Sequence, residues 1–107
     1  MQNNEFHQAE ITKIIDINPM VKRFFLKFDH DVIFQSGQFV IIDFGKLNHT
    51  YSSRSYSIAD LSHDSVIEIC VSLKENGAAT PLLFNYKIGE KLKISIPQGR
   101  FILPDNL

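Results

Sequence analysis

An all-β fold with one short helix, built as an antiparallel barrel or sandwich, is the class this sequence predicts, and three observations carry it. Apolar and polar residues alternate with period two in several short runs. Turn-forming residues separate those runs. One segment alone, around Pro81, has the features of a helix start. Successive strand side chains point to opposite faces of a sheet, so period-two alternation marks a strand with one buried face. Six such strands with few helical signals fit a barrel or a sandwich, and closure into a barrel would remove the exposed edges of so small a sheet.

The elements follow in chain order. Ile11, Lys13, Ile15 and Ile17 form a noisy stripe in a first strand. Phe24, Leu26 and Phe28 mark a second, from about Val21 to Phe28. Phe39 to Phe44 and Arg54 to Ala59, rich in β-branched and aromatic residues, supply the third and fourth. In Ile67-Glu68-Ile69-Cys70-Val71-Ser72-Leu73 every odd position is a branched aliphatic, which gives the fifth. Lys91-Leu92-Lys93-Ile94-Ser95-Ile96 repeats the alternation with lysine outward and gives the sixth. Asn18-Pro19, Ser36-Gly37, Ser62-His63-Asp64 and Gly89-Glu90 are the intervening turns. The spacing predicts a helix from Pro81 to Tyr86, with Thr80 as its cap, proline at the first helical position and Leu82, Leu83 and Tyr86 on one face.

Composition narrows the function. The 107 residues carry 11 Lys and Arg against 12 Asp and Glu, for a net charge of -1, and nine Phe with three Tyr provide a core. One domain is the natural reading at this length. Near-neutral charge argues against nucleic-acid binding, which needs unopposed cations on phosphates. Cys70 is the single cysteine, so there is no internal disulfide, four-thiolate zinc site or cysteine-held iron–sulfur cluster, and the expected compartment is the cytoplasm. Met1 to Glu10 holds no apolar signal core, and the longest apolar run, Phe39 to Ile42, is far short of the ~20 residues of a membrane helix, so no membrane span is expected.

Two features bear chemistry. In Arg54-Ser55-Tyr56-Ser57 a regular strand puts Arg54 and Tyr56 on one face. The guanidinium offers a fork of donors to phosphate oxygens, the phenol ring a flat face to a conjugated ring, and Ser57 a small hydrogen-bonding group beside it. In Gly77-Ala78-Ala79-Thr80 small residues run into the helix start, where free amides and the positive dipole end favour an anion. Because Pro81 lacks an N–H, the donors there are the amides around Ala79 and Thr80. Taken singly, each feature also fits a structural role: a solvated arginine, a tyrosine filling the barrel wall, a plain strand-to-helix connection.

In order and together, these segments resemble the ferredoxin–NADP⁺ reductase-like flavoproteins. Arg54-Ser55-Tyr56-Ser57 is similar to their R-x-Y-[S/T] signature, and Gly37-Gln38-Phe39-Val40 to the G-Q-[F/Y] strand before it. Gly77 to Thr80 resembles their G-x-x-[S/T] phosphate turn, Gly89 to Ile94 their G-[D/E] turn and strand, and Pro97-Gln98-Gly99-Arg100-Phe101 their P-x-G-x-F segment. The resemblance covers about residues 9 to 103. It implies a six-stranded antiparallel Greek-key barrel holding FAD at its open side, FAD being favoured over FMN because an anion turn suits the longer pyrophosphate. It implies that Arg54 and Ser55 belong to the cofactor site, with Arg54 at the phosphates, Tyr56 stacked on the isoalloxazine and Ser57 near N5, where hydride arrives. The backbone at Leu73 and Lys74 would lie along the flavin, and Gly77, Ala78, Ala79 and Thr80 would face the pyrophosphate.

The same resemblance implies a reductase passing electrons between a nicotinamide and an acceptor, protein or small molecule, with a nicotinamide-binding domain in cis or in trans. No G-x-G-x-x-G-like segment occurs in residues 1–107, which read as the FAD-binding barrel alone, the flavin half of a reductase. Asn76 stands where the family often has a second glycine. A non-enzymatic flavin-binding or docking module working with a partner chain is the alternative. An oligonucleotide-binding barrel has the aromatics but lacks the basic groove. His7, His30, His49 and His63 fall in expected loops or the tail without metal spacing. His49 to Ser53 is expected as a loop or part of the flavin rim, and Cys70 lies on the polar parity of its strand.

Overall fold

Strands form where the alternation is regular, and the ring closes where two of them run out of backbone partners. The computed structural model describes residues 6–30, 32, 38–47, 49–61, 66–74, 77 and 79–95. The strands are β1 (Phe6–Asn18), β2 (Val21–Phe28), β3 (Phe39–Leu47), β4 (Thr50–Leu61), β5 (Val66–Ser72) and β6 (Lys91–Ser95), with helix α1 (Ala79–Phe84) between the last two. They close into an antiparallel barrel in the order β1-β2-β5-β4-β3-β6. Three hairpin-linked neighbours, β3, β4 and β5, with β6 returning beside β3, make the Greek key that the resemblance implied.

The first strand departs from its expected stripe. Ala9 and Ile11 are buried, but the register shifts between Ile11 and Lys13. Past that bulge the inward position passes to Ile14, which packs on the core, while Lys13 and Ile17 are exposed. One extra residue reverses the parity that follows, until a second shift between Asp16 and Asn18, so the noise in the sequence pattern was the bulges themselves. His7 also departs: it lies within β1 rather than in a tail, half-buried, its ring 4.6 Å from that of His30. Residues 50–53, expected as a loop, belong to β4. The turns at Ser36-Gly37 and Ser62-His63-Asp64 and the Pro97–Phe101 segment lie outside the described residues.

Ile11, Phe24, Leu26, Ile42, Ile67, Ile69 and Ile94 fill the barrel, each fully buried, and Leu83 of α1 joins them. Burial of this kind stabilises by about 1.5–3 kcal/mol per large aliphatic or aromatic side chain. The helix starts two residues earlier than the sequence predicts. Pro81 is its third residue, a position where the absent N–H matters little because the first four amides of a helix have no internal acceptor. It ends earlier as well: Asn85 and Tyr86 donate to the carbonyls of Leu82 and Leu83, both at 3.0 Å, in a tightened last turn.

The β3–β6 seam is short among the described residues, with Ile42↔Ile94 and Asp43↔Lys93 paired. Side chains complete it. The Ile41 N–H donates to Ser95 Oγ at 2.9 Å, with Ser95 fully buried. The nearly buried Asp43 carboxylate accepts from the Gly45 N–H at 2.8 Å and lies 3.5 Å from Lys93 Nζ. Gly45 sits at a bulge with φ 75, a conformation that favours glycine. Burial alone would raise the Asp43 pKa; the Tyr51 hydroxyl, the Gly45 amide and Lys93 outweigh it and hold it below its ordinary value. A depressed carboxylate stabilises the fold above its unfolded pKa of about 3.9 and loses that contribution as pH falls through the folded value. Asp43→Ala is expected to destabilise the domain by about 2 kcal/mol in urea unfolding at pH 7. The gap to the unsubstituted chain should narrow as the pH falls below about 4, and a gap independent of pH would contradict this role.

Candidate functional site: a slot between two parted strands

Ladder pairing between β4 and β5 is confined to one end. Ile58, Asp60 and Leu61 pair with Ile69, Glu68 and Ile67, and no pair is formed beyond Ile58↔Ile69. From there β5 stays with β2, through Val21↔Ser72 and a 2.7 Å bond from the Leu73 N–H to the Met20 carbonyl. The other strand stays with β3, pairing at every β4 residue from Ser57 back to Thr50. The two strands therefore diverge and leave a slot whose walls are Arg54–Ser57 and Cys70–Lys74. Each wall carries backbone groups with no ladder partner across the gap, and such groups need a partner from water or a ligand.

One face of β4 lines that slot. Arg54 lies opposite Ile42 and Tyr56 opposite Val40, and both partners are buried core residues. Directly opposed residues in an antiparallel pair share a face, so Arg54 and Tyr56 point to the barrel side together, as the sequence predicts. Tyr56 packs on the core while its hydroxyl is buried without a hydrogen-bond partner among the described residues. Burial pushes its phenol above the ordinary pKa, and the positive charge of Arg54 pulls against that shift. The phenol is therefore neutral and able to donate at physiological pH. Arg54 is exposed, and its Nη1 donates to the Ser53 carbonyl at 2.8 Å. Among the described residues no carboxylate pairs with it, which leaves most of its five donors available.

Ser55 and Ser57 take the opposite parity and are exposed. The sequence placed Ser57 beside the ring of Tyr56; the structure puts it at the vertex of the slot, one residue before the first β4–β5 pair. Extending the Ile58↔Ile69 register by one residue aligns the exposed Cys70 with it across that vertex.

The turn after β5 is locked from within. Thr80 Oγ1 accepts the Lys74 N–H at 2.8 Å and donates to the Lys74 carbonyl at 3.3 Å, and the Gly77 N–H reaches the same carbonyl at 2.8 Å. Thr80 is thus a clasp within the helix and not its cap. The amides of Leu73 and Lys74 are both spent internally, so at these positions the ligand-facing groups are carbonyl and side chain. A Cβ on Gly77 would stand 3.2 Å from the Lys74 carbonyl oxygen, too tight without a shift of the backbone. The Ala79 and Thr80 amides open the helix, and no partner for either exists among the described residues. At six residues α1 has little dipole, and Ala79 and Thr80 are themselves buried. Ala78 and Asn76 lie outside the described residues.

Residues 8–102 match the model of the oxidoreductase FAD-binding domain. The chain belongs to that family. As an FAD-binding domain of the ferredoxin reductase-like kind, it has FAD as its cofactor. It is 30% identical over 104 residues to the reductase component of phenol 2-monooxygenase from Pseudomonas sp. strain CF600, covering 95% of this chain and 29% of that protein. It is 32% identical over 99 residues to the phenol hydroxylase P5 protein of Acinetobacter pittii, covering 91% of this chain and 27% of that protein. The chain therefore spans less than a third of either relative. The solved ferredoxin reductase of carbazole 1,9a-dioxygenase superposes with a TM-score of 0.77 at 26% identity, over 94% of this chain and 31% of that one.

The donor set fits this cofactor. Among the described residues, a buried phenol hydroxyl without a hydrogen-bond partner and an arginine without a carboxylate lie on one wall of a slot whose edges are backbone. Among the described residues no group of side chains could hold a metal ion, and no helix is long and apolar enough to cross a membrane. Sequence reasoning missed two residues that shape the slot. Met20, whose carbonyl holds Leu73, gave no signal, because a backbone acceptor has no residue preference. Lys22 did give one: it shares the parity of Phe24, Leu26 and Phe28.

Thr80→Val is expected to speed hydrogen exchange at the Lys74 amide by about tenfold, since a bond worth about 1 kcal/mol or more is lost. Thr80→Ser should leave that rate near its original value. Equal exchange in all three chains would remove the clasp from the description.

Proposed function

We propose that this domain is the flavin half of a reductase that carries electrons from a reduced nicotinamide to an acceptor. The observation that carries the proposal is the slot, with Tyr56 on its inner wall and Arg54 two residues away on the same face. When bound, the flavin accepts a hydride and releases electrons one or two at a time. Tyr56 holds the ring system flat and gives its buried hydroxyl a partner. Ser57, at the vertex, lies beside the reactive edge. Arg54, with the backbone at Ser55, meets the phosphates through charge-assisted bonds. Leu73 and Lys74 form the opposite wall, and the Gly77–Thr80 turn of the signature would border the pyrophosphate.

The relatives' own names, a reductase component and a ferredoxin reductase, support the electron-carrying reading. A nicotinamide-binding domain, in cis or in trans, completes the reaction, and the acceptor is a protein or a small molecule. The unpaired Cys70 supports a reducing compartment, the cytoplasm.

Arg54→Ala is expected to weaken FAD binding by about 2 kcal/mol, or roughly thirtyfold, in a fluorescence titration of the stripped domain. Tyr56→Ala should relieve the quenching of bound-flavin emission. Unchanged affinity in the first variant and an identical spectrum in the second would overturn the placement. For the reaction, the FAD-loaded chain reduced with dithionite should pass its electrons quickly to ferricyanide, whereas NADH or NADPH alone should reduce it only slowly. Rapid reduction by either nucleotide would refute the need for a second domain.

A further inference from the structure

An aromatic ring stands among cations on the outer side of the barrel, beside the slot. On β2 the residues opposite in parity to the buried Phe24, Leu26 and Phe28 are Arg23, Phe25 and Lys27. Phe25 faces away from the core and is only half-buried. Two cations lie over its ring, Lys13 Nζ at 5.3 Å from the centroid and Arg23 Cζ at 5.7 Å. Arg23 is also held by the buried Glu68 carboxylate. Lys13 and Lys27 are exposed, and among the described residues neither has a carboxylate within ion-pair distance. Glu10, opposite Lys27 in one ladder, stands opposite Lys91 in the other, one carboxylate between two lysines. The chain as a whole carries a net charge of -1, so the excess of cations here is local.

Ladder partners carry one outward row from this patch to the slot. Ile15 lies opposite Arg23, Arg23 opposite Cys70, and Cys70 aligns with Ser57 across the vertex. With neighbouring strands about 4.8 Å apart, Arg23 stands roughly 10 Å from Ser57 along that row. A protein seated on Phe25 therefore brings its own redox centre close to the vertex without entering the slot. Interfaces of transient electron-transfer partners are small and steered by charge, and aromatic residues and arginine are enriched in interfaces generally. Phe25 with Lys13, Arg23 and Lys27 has that composition. A nucleic acid would need a longer run of unopposed cations along its phosphates.

We propose that the outer face of β1 and β2 around Phe25 is the docking surface for an acidic protein that takes up the electrons. This rests on the reading above that the reactive edge of the flavin lies at Ser57, and it narrows the acceptor to a protein with a negatively charged face. Lys13, Arg23 and Lys27 draw that face in, and Phe25 gives it an apolar centre.

The test uses the FAD-loaded chain, reduced by light in the presence of EDTA and mixed with one of three oxidants. Cytochrome b5 is an acidic haem protein, cytochrome c a basic one, and benzoquinone a small neutral molecule. Two electrons and two protons leave each reduced flavin, one electron going to each of two ferric haems, or both to one quinone. The double variant Lys13→Glu with Lys27→Glu is expected to slow reduction of cytochrome b5 about tenfold at low ionic strength and to speed that of cytochrome c. Benzoquinone should change by no more than about twofold. The slowing should shrink as salt is raised to about 0.3 M. Lys13→Gln with Lys27→Gln should give the same order of effects, about threefold, and serves if the reversed charges unfold the chain. An equal fall with all three oxidants marks damage to the flavin site and overturns the proposal, as does an unchanged rate with cytochrome b5. Lost binding to single-stranded DNA or to phosphatidylserine vesicles, with cytochrome b5 reduced as before, assigns the face to another partner and overturns it too. If the reduced unsubstituted chain does not reduce benzoquinone, the electron-carrying reading fails and the docking surface with it. If it does, and only the dependence on the two lysines is missing, the docking proposal alone fails.

Discussion

A strand in a sheet has two edges, and β5 cannot satisfy both along its whole length. Past Ile69 it keeps β2 and gives up β4. The place proposed for the flavin depends on that parting. A ring zippered on all sides would pair Tyr56 directly with Val71 and leave no gap between the strands for a flat ligand. In most small sheets an unpaired edge invites aggregation. Here two such edges face one another across a gap, with an aromatic ring on the inner wall and a cation beside it. That is the form of a site for a planar, anionic cofactor.

The gap persists because both walls are anchored elsewhere. On one side β4 is paired with β3 over the whole of Thr50–Ser57. On the other, β5 leads into a turn in which one threonine hydroxyl serves both polar groups of the Lys74 backbone. A helix too short to stand alone closes the end of the barrel with Leu83 and Phe84, so its fixed position is a tertiary property. Its start is tied by the Thr80–Lys74 bonds and its end by Lys22 of β2.

Much of this could be read from the sequence, for identifiable reasons. The fifth and sixth strands alternate without a break in sequence, and neither carries a bulge in its ladder with β2 or β1. The shared face of Arg54 and Tyr56 followed from parity alone, because β4 is regular between Ser52 and Ser57. What escaped was governed by partners distant in the chain. The bulge in β1 reversed the parity of Lys13 and Ile15, and nothing local in the sequence announces a bulge. Thr80 looked like a helix cap since threonine before proline usually is one; its hydroxyl turned to Lys74 because the helix begins at Ala79. Glu68, on the polar parity of β5, is buried against Arg23, a pairing fixed only when β2 and β5 come together. Lys22 broke its stripe for the same kind of reason, the need of a carbonyl that belongs to another element.

The family resemblance and the geometry converge on one slot, and a crystal structure of this chain with FAD tests that convergence most directly. The ring system is predicted to lie between Arg54–Ser57 and Cys70–Lys74, one face on Tyr56, with the phosphates within reach of Arg54. A complex in which β4 and β5 zip together beyond Ile58 and Ile69, with the flavin seated elsewhere on the barrel, would contradict it.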